Sequence, residues 1–241
     1  MSPIILALDF ARIDDADAML AKVRPHIGMM KVGLEMFTAH GWDCLALAKQ
    51  YDLPVFLDLK LYDIPTTVAK TTDVVCAKLA PLKGEHFLSV HCMGTTPMCK
   101  ASFDVAQGSN VKVAGITLLT SFNWQDLRQL GYSDSRVNIQ TVDIAKVGRS
   151  AGLEHFVCAP TNAALMKKHY GDKATLITPG IRLPGDVVHD HKNTADVSQA
   201  MKSGASWLVV GRPITNAVDP TEAARQFAEV AERHTPSNNV I

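Results

Sequence analysis

The sequence has no excess of charge of either sign and no long apolar run. Lysine and arginine together number 24, as do aspartate and glutamate, so the formal net charge is +0 at pH 7. Nucleic-acid binding depends on a field of positive charge, which this balance does not provide. No apolar stretch approaches the roughly 18–20 residues that span a bilayer. We therefore expect neither nucleic acid nor a membrane as a partner.

Signals for disulfides, targeting and cofactors are also missing. The five cysteines include no C-x-x-C pair and are odd in number, which indicates reduced thiols, most of them in the core. The N-terminal apolar run is short, lacks a basic leader and ends at Asp9, which is typical of a buried strand rather than a signal peptide. No G-x-G-x-x-G, P-loop or clustered metal-ligand spacing occurs. The sequence thus predicts a cytoplasmic protein with no cofactor and no bound metal.

Short apolar runs alternate with longer amphipathic segments along the chain. The predicted strands are 4–9, 29–33, 54–60, 86–92, 111–118, 155–159, 174–178 and 206–211. The predicted helices are 13–24, 38–51, 64–80, 95–106, 140–152, 161–170, 194–203 and 219–234. Near-continuous apolar runs of this kind are typical of parallel strands that are covered on both faces.

This alternation predicts an α/β fold. Eight strand–helix units in 241 residues favour one closed (β/α)₈ TIM barrel, with 1–241 as a single catalytic domain. An open doubly wound sheet has the same periodicity and stays as the alternative. Two connections are longer than the roughly 2–6 residues usual between such elements: 120–139, with a short helical pattern near Trp124 to Leu130, and 182–193, a candidate lid.

Charged residues stand where these strands should be apolar. Five ionisable side chains occupy predicted strand ends: Asp9, Lys31, Asp58, Lys60 and Asp63. Asp58 and Lys60 alternate with leucines, so on a regular strand they share one face. Pro65 follows and suits the first turn of a helix. Since the carboxyl ends of barrel strands carry catalysis, we expect all five charges at one mouth of the barrel.

Simpler interpretations of these charges exist. Asp63 alone could be a favourable charge at a helix start, worth about 0.3–1 kcal/mol. Asp58 and Lys60 could form a structural ion pair that lines the barrel. Either way the signs must alternate, because burying such groups unpaired costs several kcal/mol each. The shared position at strand ends favours the catalytic interpretation.

A second motif is typical of phosphate binding. Gly211, Arg212 and Pro213 directly follow the last predicted strand, and Pro213 can open a short helix. Backbone N–H groups at such a turn, beside an arginine that forms paired hydrogen bonds, make a compact anion site. Barrels commonly hold phosphate after their last two strands. The simpler interpretation is a tight turn with a solvated arginine.

Six segments carry a resemblance to a known family. They are LALDF (6–10), KVGLEMF (31–37), FLDLKLYDIPTTV (56–68), ITLLTS (116–121), TPGIR (178–182) and LVVGRPIT (208–215). Together they resemble the orotidine 5′-monophosphate decarboxylase family along essentially the whole chain. D-x-K-x-x-D belongs to a broader superfamily, and its continuation as Ile-Pro-x-Thr is similar to the decarboxylase branch. The resemblance implies cofactor-independent decarboxylation of orotidine 5′-monophosphate to uridine 5′-monophosphate in pyrimidine biosynthesis.

The resemblance also implies a role for each matching residue. Lys60 would donate the proton to the carbon that loses CO₂, Asp58 would lie beside the substrate carboxylate, and Lys31 would complete the charge network. Asp63 would enter the partner's site of a homodimer with shared active sites. The implied substrate contacts are Asp9 and Lys31 at the ribose, Ile64 and Thr67 from the partner, Thr120 and Ser121 at the pyrimidine, Pro179 and Arg182 near base and phosphate, and Gly211 and Arg212 at the phosphate.

Two histidines lie where the chain departs from the family pattern. Family members commonly carry Asp-Gln-Lys in the lid, where this chain has Asp190-His191-Lys192, so the resemblance places His191 at the substrate. An imidazole can donate one hydrogen bond to phosphate but lacks the donor–acceptor pair of an amide. We interpret His91, at the end of the fourth strand, as a hydrogen-bonded core residue rather than a catalytic group.

Two other functions fit parts of the pattern. A different D-x-K-x-x-D barrel, an aldolase-like or keto-sugar phosphate enzyme, would coordinate Mg²⁺ through its acidic residues. A catalytically silent phosphate-binding barrel would act as a nucleotide sensor. A metal-dependent activity would distinguish the aldolase-like enzyme from the decarboxylase. Turnover of the substrate would distinguish the decarboxylase from the silent sensor.

Overall fold

Eight parallel strands close into a barrel in the computed structural model, which describes residues 2–133, 136–183 and 195–234. The barrel strands are β1 (Ile4–Ala7), β2 (Met29–Val32), β3 (Val55–Leu61), β4 (His86–His91), β5 (Val111–Ile116), β6 (His155–Val157), β7 (Thr175–Pro179) and β10 (Trp207–Val210). Two shorter strands, β8 (Ile181–Arg182) and β9 (Ala195–Asp196), pair outside it. Each barrel strand pairs with the next barrel strand along the chain, and β10 pairs with β1. The predicted TIM barrel is confirmed over the open sheet.

Helices lie between the strands along the chain. They are α1 (Ile13–Val23), α2 (Leu34–His40), α3 (Leu45–Tyr51), α4 (Pro65–Leu79), α5 (Thr95–Ala106), α6 (Trp124–Gln129), α7 (Val137–Ser150), α8 (Ala163–Tyr170), α9 (Val197–Lys202), α10 (Arg212–Thr215) and α11 (Pro220–Glu232). Short 3₁₀ turns occupy Arg24–His26, Gly41–Cys44, Cys92–Gly94 and Pro160–Asn162. Within the described ranges, no helix has the length and apolar character needed to cross a membrane.

One predicted helix is wrong in its extent. The segment 38–51 is two helices, α2 and α3, joined by a 3₁₀ turn that begins at Gly41. Gly41 has a φ of 54°, a left-handed conformation that glycine adopts without steric cost and that ends a helix. The short helices predicted near Trp124 and after Gly211 are confirmed as α6 and α10, and Pro65 opens α4.

An apolar cluster packs inside the barrel, below the charged residues at its carboxyl end. Its buried members are Ile5, Ala7, Met29, Phe56, Phe87, Ala114, Ile177 and Val209. The rings of Phe56 and Phe87 meet edge to face with centroids 6.1 Å apart. Lys31 and Asp58 follow Met29 and Phe56 by two residues on the same strands. They therefore point inward directly above this cluster.

Candidate active site

Strand β3 is irregular where it carries Asp58 and Lys60. Lys60 has a φ of 51°, and the pairing of β3 with β4 shifts register between Leu57 and Leu61. The regular strand expected from the alternation with leucines is therefore wrong at Lys60. The two side chains still meet, because Lys60 Nζ lies 2.9 Å from Asp58 Oδ2. The backbone N–H of Lys60 donates to Ser89 Oγ on β4 at 2.7 Å.

Four charges of alternating sign form a continuous network at the carboxyl ends of β1, β2 and β3. Lys31 Nζ lies 3.1 Å from Asp9 Oδ1 and 3.8 Å from Asp58 Oδ2. Lys31 and Asp58 are each only 8% exposed, whereas the side chain of Lys60 keeps 32% of its surface accessible. The buried pair is thus held by charge compensation on both sides, and Lys60 presents its ammonium to the cavity.

Asp58 is ionised in this environment. Burial is the largest influence and acts to raise its pKa, but the Lys31 and Lys60 ammonium groups and the Ser89 hydroxyl act against it, and the net pKa is lowered. A carboxylate therefore faces the cavity at neutral pH. This fixed negative charge lies beside a fixed positive one, and neither depends on a bound ligand.

His91 has the surroundings of a neutral core histidine. Burial, with the nearby Lys60 charge, lowers its pKa. Its Nδ1 accepts a hydrogen bond from the Met93 N–H at 3.3 Å, and its ring lies against that of Tyr62 with centroids 5.8 Å apart. This geometry favours the interpretation of His91 as a structural residue that ends β4.

The network opens into a cavity of ≈ 340 Å³ at the carboxyl end of the barrel. Nine of the predicted site residues line it: Asp9, Lys31, Asp58, Lys60, Thr120, Pro179, Arg182, Gly211 and Arg212. Ser121 also lines it. Charged groups from β1 to β3 therefore occupy one wall, and the backbone turn at Gly211 with two arginines occupies another. His191, with most of the predicted lid at 182–193, lies outside the described residues.

Three predicted residues are not in this cavity. Asp63 and Thr67 line a neighbouring depression that Lys60 also borders, and Ile64 is 66% exposed. Asp63 Oδ1 accepts the N–H of Ile64 at 2.7 Å, and among the described residues no salt bridge is formed by Asp63. The expectation that five charges meet at one mouth therefore holds for four within a single chain, because the chain turns outward after β3.

Sequence reasoning missed two residues of the site. Ser89 is fully buried on β4 and bonds the backbone of Lys60. A serine within the apolar run FLSV was a usable signal, since buried hydroxyls need partners. Gly33 follows β2, and a Cβ there would lie 2.8 Å from Lys31 Nζ and 3.2 Å from Asp9 Oδ1. A side chain there would therefore require the Lys31 ammonium to shift from its place beside Asp9.

Comparison with known proteins identifies the family. The model of the "Orotidine 5'-phosphate decarboxylase / HUMPS family" matches residues 2–227. An orotidine 5′-phosphate decarboxylase of Wolbachia pipientis subsp. Culex pipiens is 38% identical over 224 residues, covering 93% of this chain and 96% of that protein. One of Erythrobacter litoralis is 38% identical over 226 residues, covering 94% and 97%.

A solved structure agrees with these sequence relatives. The crystal structure of orotidine 5′-phosphate decarboxylase from Lactobacillus acidophilus is 31% identical, with a TM-score of 0.80 over 96% of this chain and 99% of that one. Together these findings indicate the activity predicted from the sequence, a decarboxylase of the UMP-forming step in pyrimidine biosynthesis. The chain therefore belongs to the orotidine 5′-phosphate decarboxylase / HUMPS family.

Proposed function

We propose that this cavity decarboxylates orotidine 5′-monophosphate to uridine 5′-monophosphate without a cofactor, using fixed charges. The observation that carries the proposal is the network Asp9–Lys31–Asp58–Lys60, whose last member points its ammonium into the cavity. The reaction breaks the bond between the ring carbon and its carboxylate. The electron pair stays on the ring carbon while CO₂ leaves. A positive group must therefore already lie beside that carbon to stabilise its negative charge.

Lys60 supplies that positive group and the proton. Its ammonium stabilises the negative charge that develops on the ring carbon, a role that needs no reorganisation because Asp58 already holds it at 2.9 Å. The ammonium then gives a proton to the carbon and regains one from water. The product leaves with a C–H bond where the C–C bond was, and the lysine returns to its charged form.

Asp58 contributes by repulsion of the substrate carboxylate. Two unit charges about 4 Å apart at an effective dielectric of about 20 interact by roughly 4 kcal/mol. Enzymatic accelerations require up to roughly 23 kcal/mol. Repulsion is therefore a secondary contribution, and most of the barrier reduction comes from Lys60 and from binding of the distant phosphate.

The other wall of the cavity suits the phosphate and the base. Arg212 and the Gly211 turn follow β10, where the backbone enters the short helix α10. Arg182 is 8% exposed, and its Nη1 donates to the carbonyl of Ile181 at 2.9 Å, so its guanidinium is held in place before any ligand binds. Thr120, from the connection after β5, and Pro179, at the end of β7, supply contacts to the pyrimidine.

The proposal extends to the assembly and the compartment. Asp63, Ile64 and Thr67 lie on the surface beside exposed Tyr62, which suits a homodimer in which these residues complete the partner's site. The five cysteines are free, which suits a reducing cytoplasm. One catalytic domain spanning 1–241 accounts for the barrel and its site.

The test is the loss of orotidine 5′-monophosphate absorbance with purified enzyme in excess chelator. We expect full activity, because the proposed charges all come from the chain. Activity that disappears with the chelator and returns with Mg²⁺ would support the metal-dependent barrel instead. Tight nucleotide binding without turnover would support the silent sensor.

A further inference from the structure

Ser89 is a buried hydroxyl at the centre of the strand beside the catalytic lysine. It is 0% exposed on β4. It lies two residues after Phe87, which belongs to the apolar cluster inside the barrel, so its side chain also points into the barrel. A hydroxyl in such a place is expected to satisfy a specific polar partner, because an unpaired one is costly. Its partner is the backbone of Lys60.

The backbone of Lys60 needs an unusual restraint. A φ of 51° places Lys60 in the left-handed region, which residues with a Cβ rarely adopt. The pairing of β3 with β4 also shifts register between Leu57 and Leu61, so the regular ladder is interrupted at this residue. Strained backbone of this kind persists only when the surroundings hold it.

The Ser89 oxygen provides that restraint. Its Oγ accepts the Lys60 N–H at 2.7 Å, a short bond that crosses from β4 to β3 at the point where the register changes. The conformation of Lys60 decides where its side chain leaves the strand. The serine therefore acts on the direction of the ammonium through the backbone.

The same hydroxyl also acts on Asp58. Its oxygen accepts from Lys60, so its own hydrogen is available to a second group. Asp58 Oδ1 is buried and has no hydrogen-bond partner among the described residues. The Ser89 hydroxyl helps to lower the pKa of Asp58, after the larger influences of burial, Lys31 and Lys60.

We propose that Ser89 is a positioning residue for the decarboxylation: it holds the left-handed backbone of Lys60, so that the ammonium meets the reacting carbon. This inference rests on the proposed role of Lys60. It is separable from that role, because Ser89 bonds the backbone of Lys60 rather than the substrate.

The test compares Ser89→Ala and Ser89→Thr with Ser102→Ala. Ser102 is also 0% exposed, and its Oγ lies 2.8 Å from Thr72 Oγ1 between α5 and α4, away from the cavity. Both alanine variants lose one buried hydroxyl, so we expect similar decreases in melting temperature. We expect kcat to fall roughly tenfold to a hundredfold in Ser89→Ala, the loss typical of a misplaced catalytic group.

The control variant, Ser102→Ala, should keep the kcat of the wild-type enzyme. Ser89→Thr retains the hydroxyl and should recover most of the rate. Affinity for uridine 5′-monophosphate should stay near wild type in all three variants, because the phosphate and base contacts are untouched.

Three results would overturn the proposal. They are a Ser89→Ala variant with the kcat of Ser102→Ala, a loss of product affinity as large as the loss of kcat, and a threonine variant as slow as the alanine variant. If Ser89→Ala does not fold, hydrogen exchange of the wild-type enzyme provides the test. The backbone amide of Lys60, observed by NMR with ¹⁵N-lysine labelling, should exchange slowly with solvent. Fast exchange of this amide would refute the hydrogen bond to Ser89. Activity that survives Lys60→Ala would instead refute the proposed function.

Discussion

At the scale of single residues, the site depends on a lysine with a strained backbone and on an aspartate that is buried and charged. Lys60 has a left-handed backbone, which costs about 1–3 kcal/mol in a residue with a side chain. Asp58 is 8% exposed and ionised. Neither state improves the stability of an isolated strand. Both place fixed charges beside a cavity, which is the arrangement that electrostatic catalysis requires.

Replacing Lys60 by alanine removes the proposed proton donor. We expect kcat to fall by about 10⁴-fold or more, since proton transfer and charge stabilisation are lost together. Affinity for uridine 5′-monophosphate, measured by calorimetry, should change little because the phosphate wall is intact. Turnover near the wild-type rate would contradict the assignment of Lys60.

The ionisation of Asp58 predicts how stability depends on pH. Because its pKa in the folded state is below the ordinary value of 3.8, Asp58 stabilises the fold above that value. This contribution is lost as the pH falls through the lowered folded pKa. Urea unfolding of wild type and Asp58→Asn at several pH values should therefore show a steeper acid loss in wild type below about pH 4. Parallel curves would show that Asp58 does not titrate between the two states.

At the scale of elements, the turns and short helices that follow the strands carry the residues proposed to bind the substrate. Periodicity located β10 and the turn at Gly211, because both depend on neighbouring residues. It failed at two single residues: Gly41 separates α2 from α3, and at Lys60 the pairing of β3 with β4 loses its regular register. The first irregularity has a local cause in glycine. The second coincides with a hydrogen bond to Ser89 of β4, 29 residues away, and no local pattern of β3 contains that partner.

The turn that leads into α10 should act on binding of the phosphate. We expect Arg212→Ala to raise KM for orotidine 5′-monophosphate greatly, because the charged contact to phosphate is lost. Activity on orotidine, which has no phosphate, should change little. Arg233→Ala is the matched control, since Arg233 is an exposed arginine at the end of α11. An equal loss on both substrates would contradict this division.

At the scale of the whole molecule, closure of the barrel is what gathers the site. Asp9, Lys31 and Asp58 come from three strands, and their ion pairs form because β1, β2 and β3 are neighbours in parallel register. Asp63 stays outside the cavity of its own chain. A second copy that supplies Asp63 would complete the arrangement of charges.

Mixing two inactive variants tests this sharing of sites. In a dimer of Lys60→Ala with Asp63→Ala, one of the two sites combines an intact Lys60 with an intact Asp63 from the partner. After complete exchange of equal amounts, random pairing should return about a quarter of the wild-type activity per site. Each variant incubated alone is the control. No recovery, with exchange demonstrated by mass spectrometry of mixed dimers, would argue that each chain works alone.

The sequence by itself determined the features that depend on nearby residues. These are the strand and helix alternation of the barrel, the charged motif from Asp58 to Asp63, and the glycine–arginine turn after the last strand. The tertiary structure decided what depends on distant segments: that the barrel closes, that Lys31 lies between Asp9 and Asp58, and that Ser89 bonds the left-handed backbone of Lys60. The reason is that local patterns follow backbone geometry and propensity, whereas the charges meet only after parallel pairing brings remote strands together.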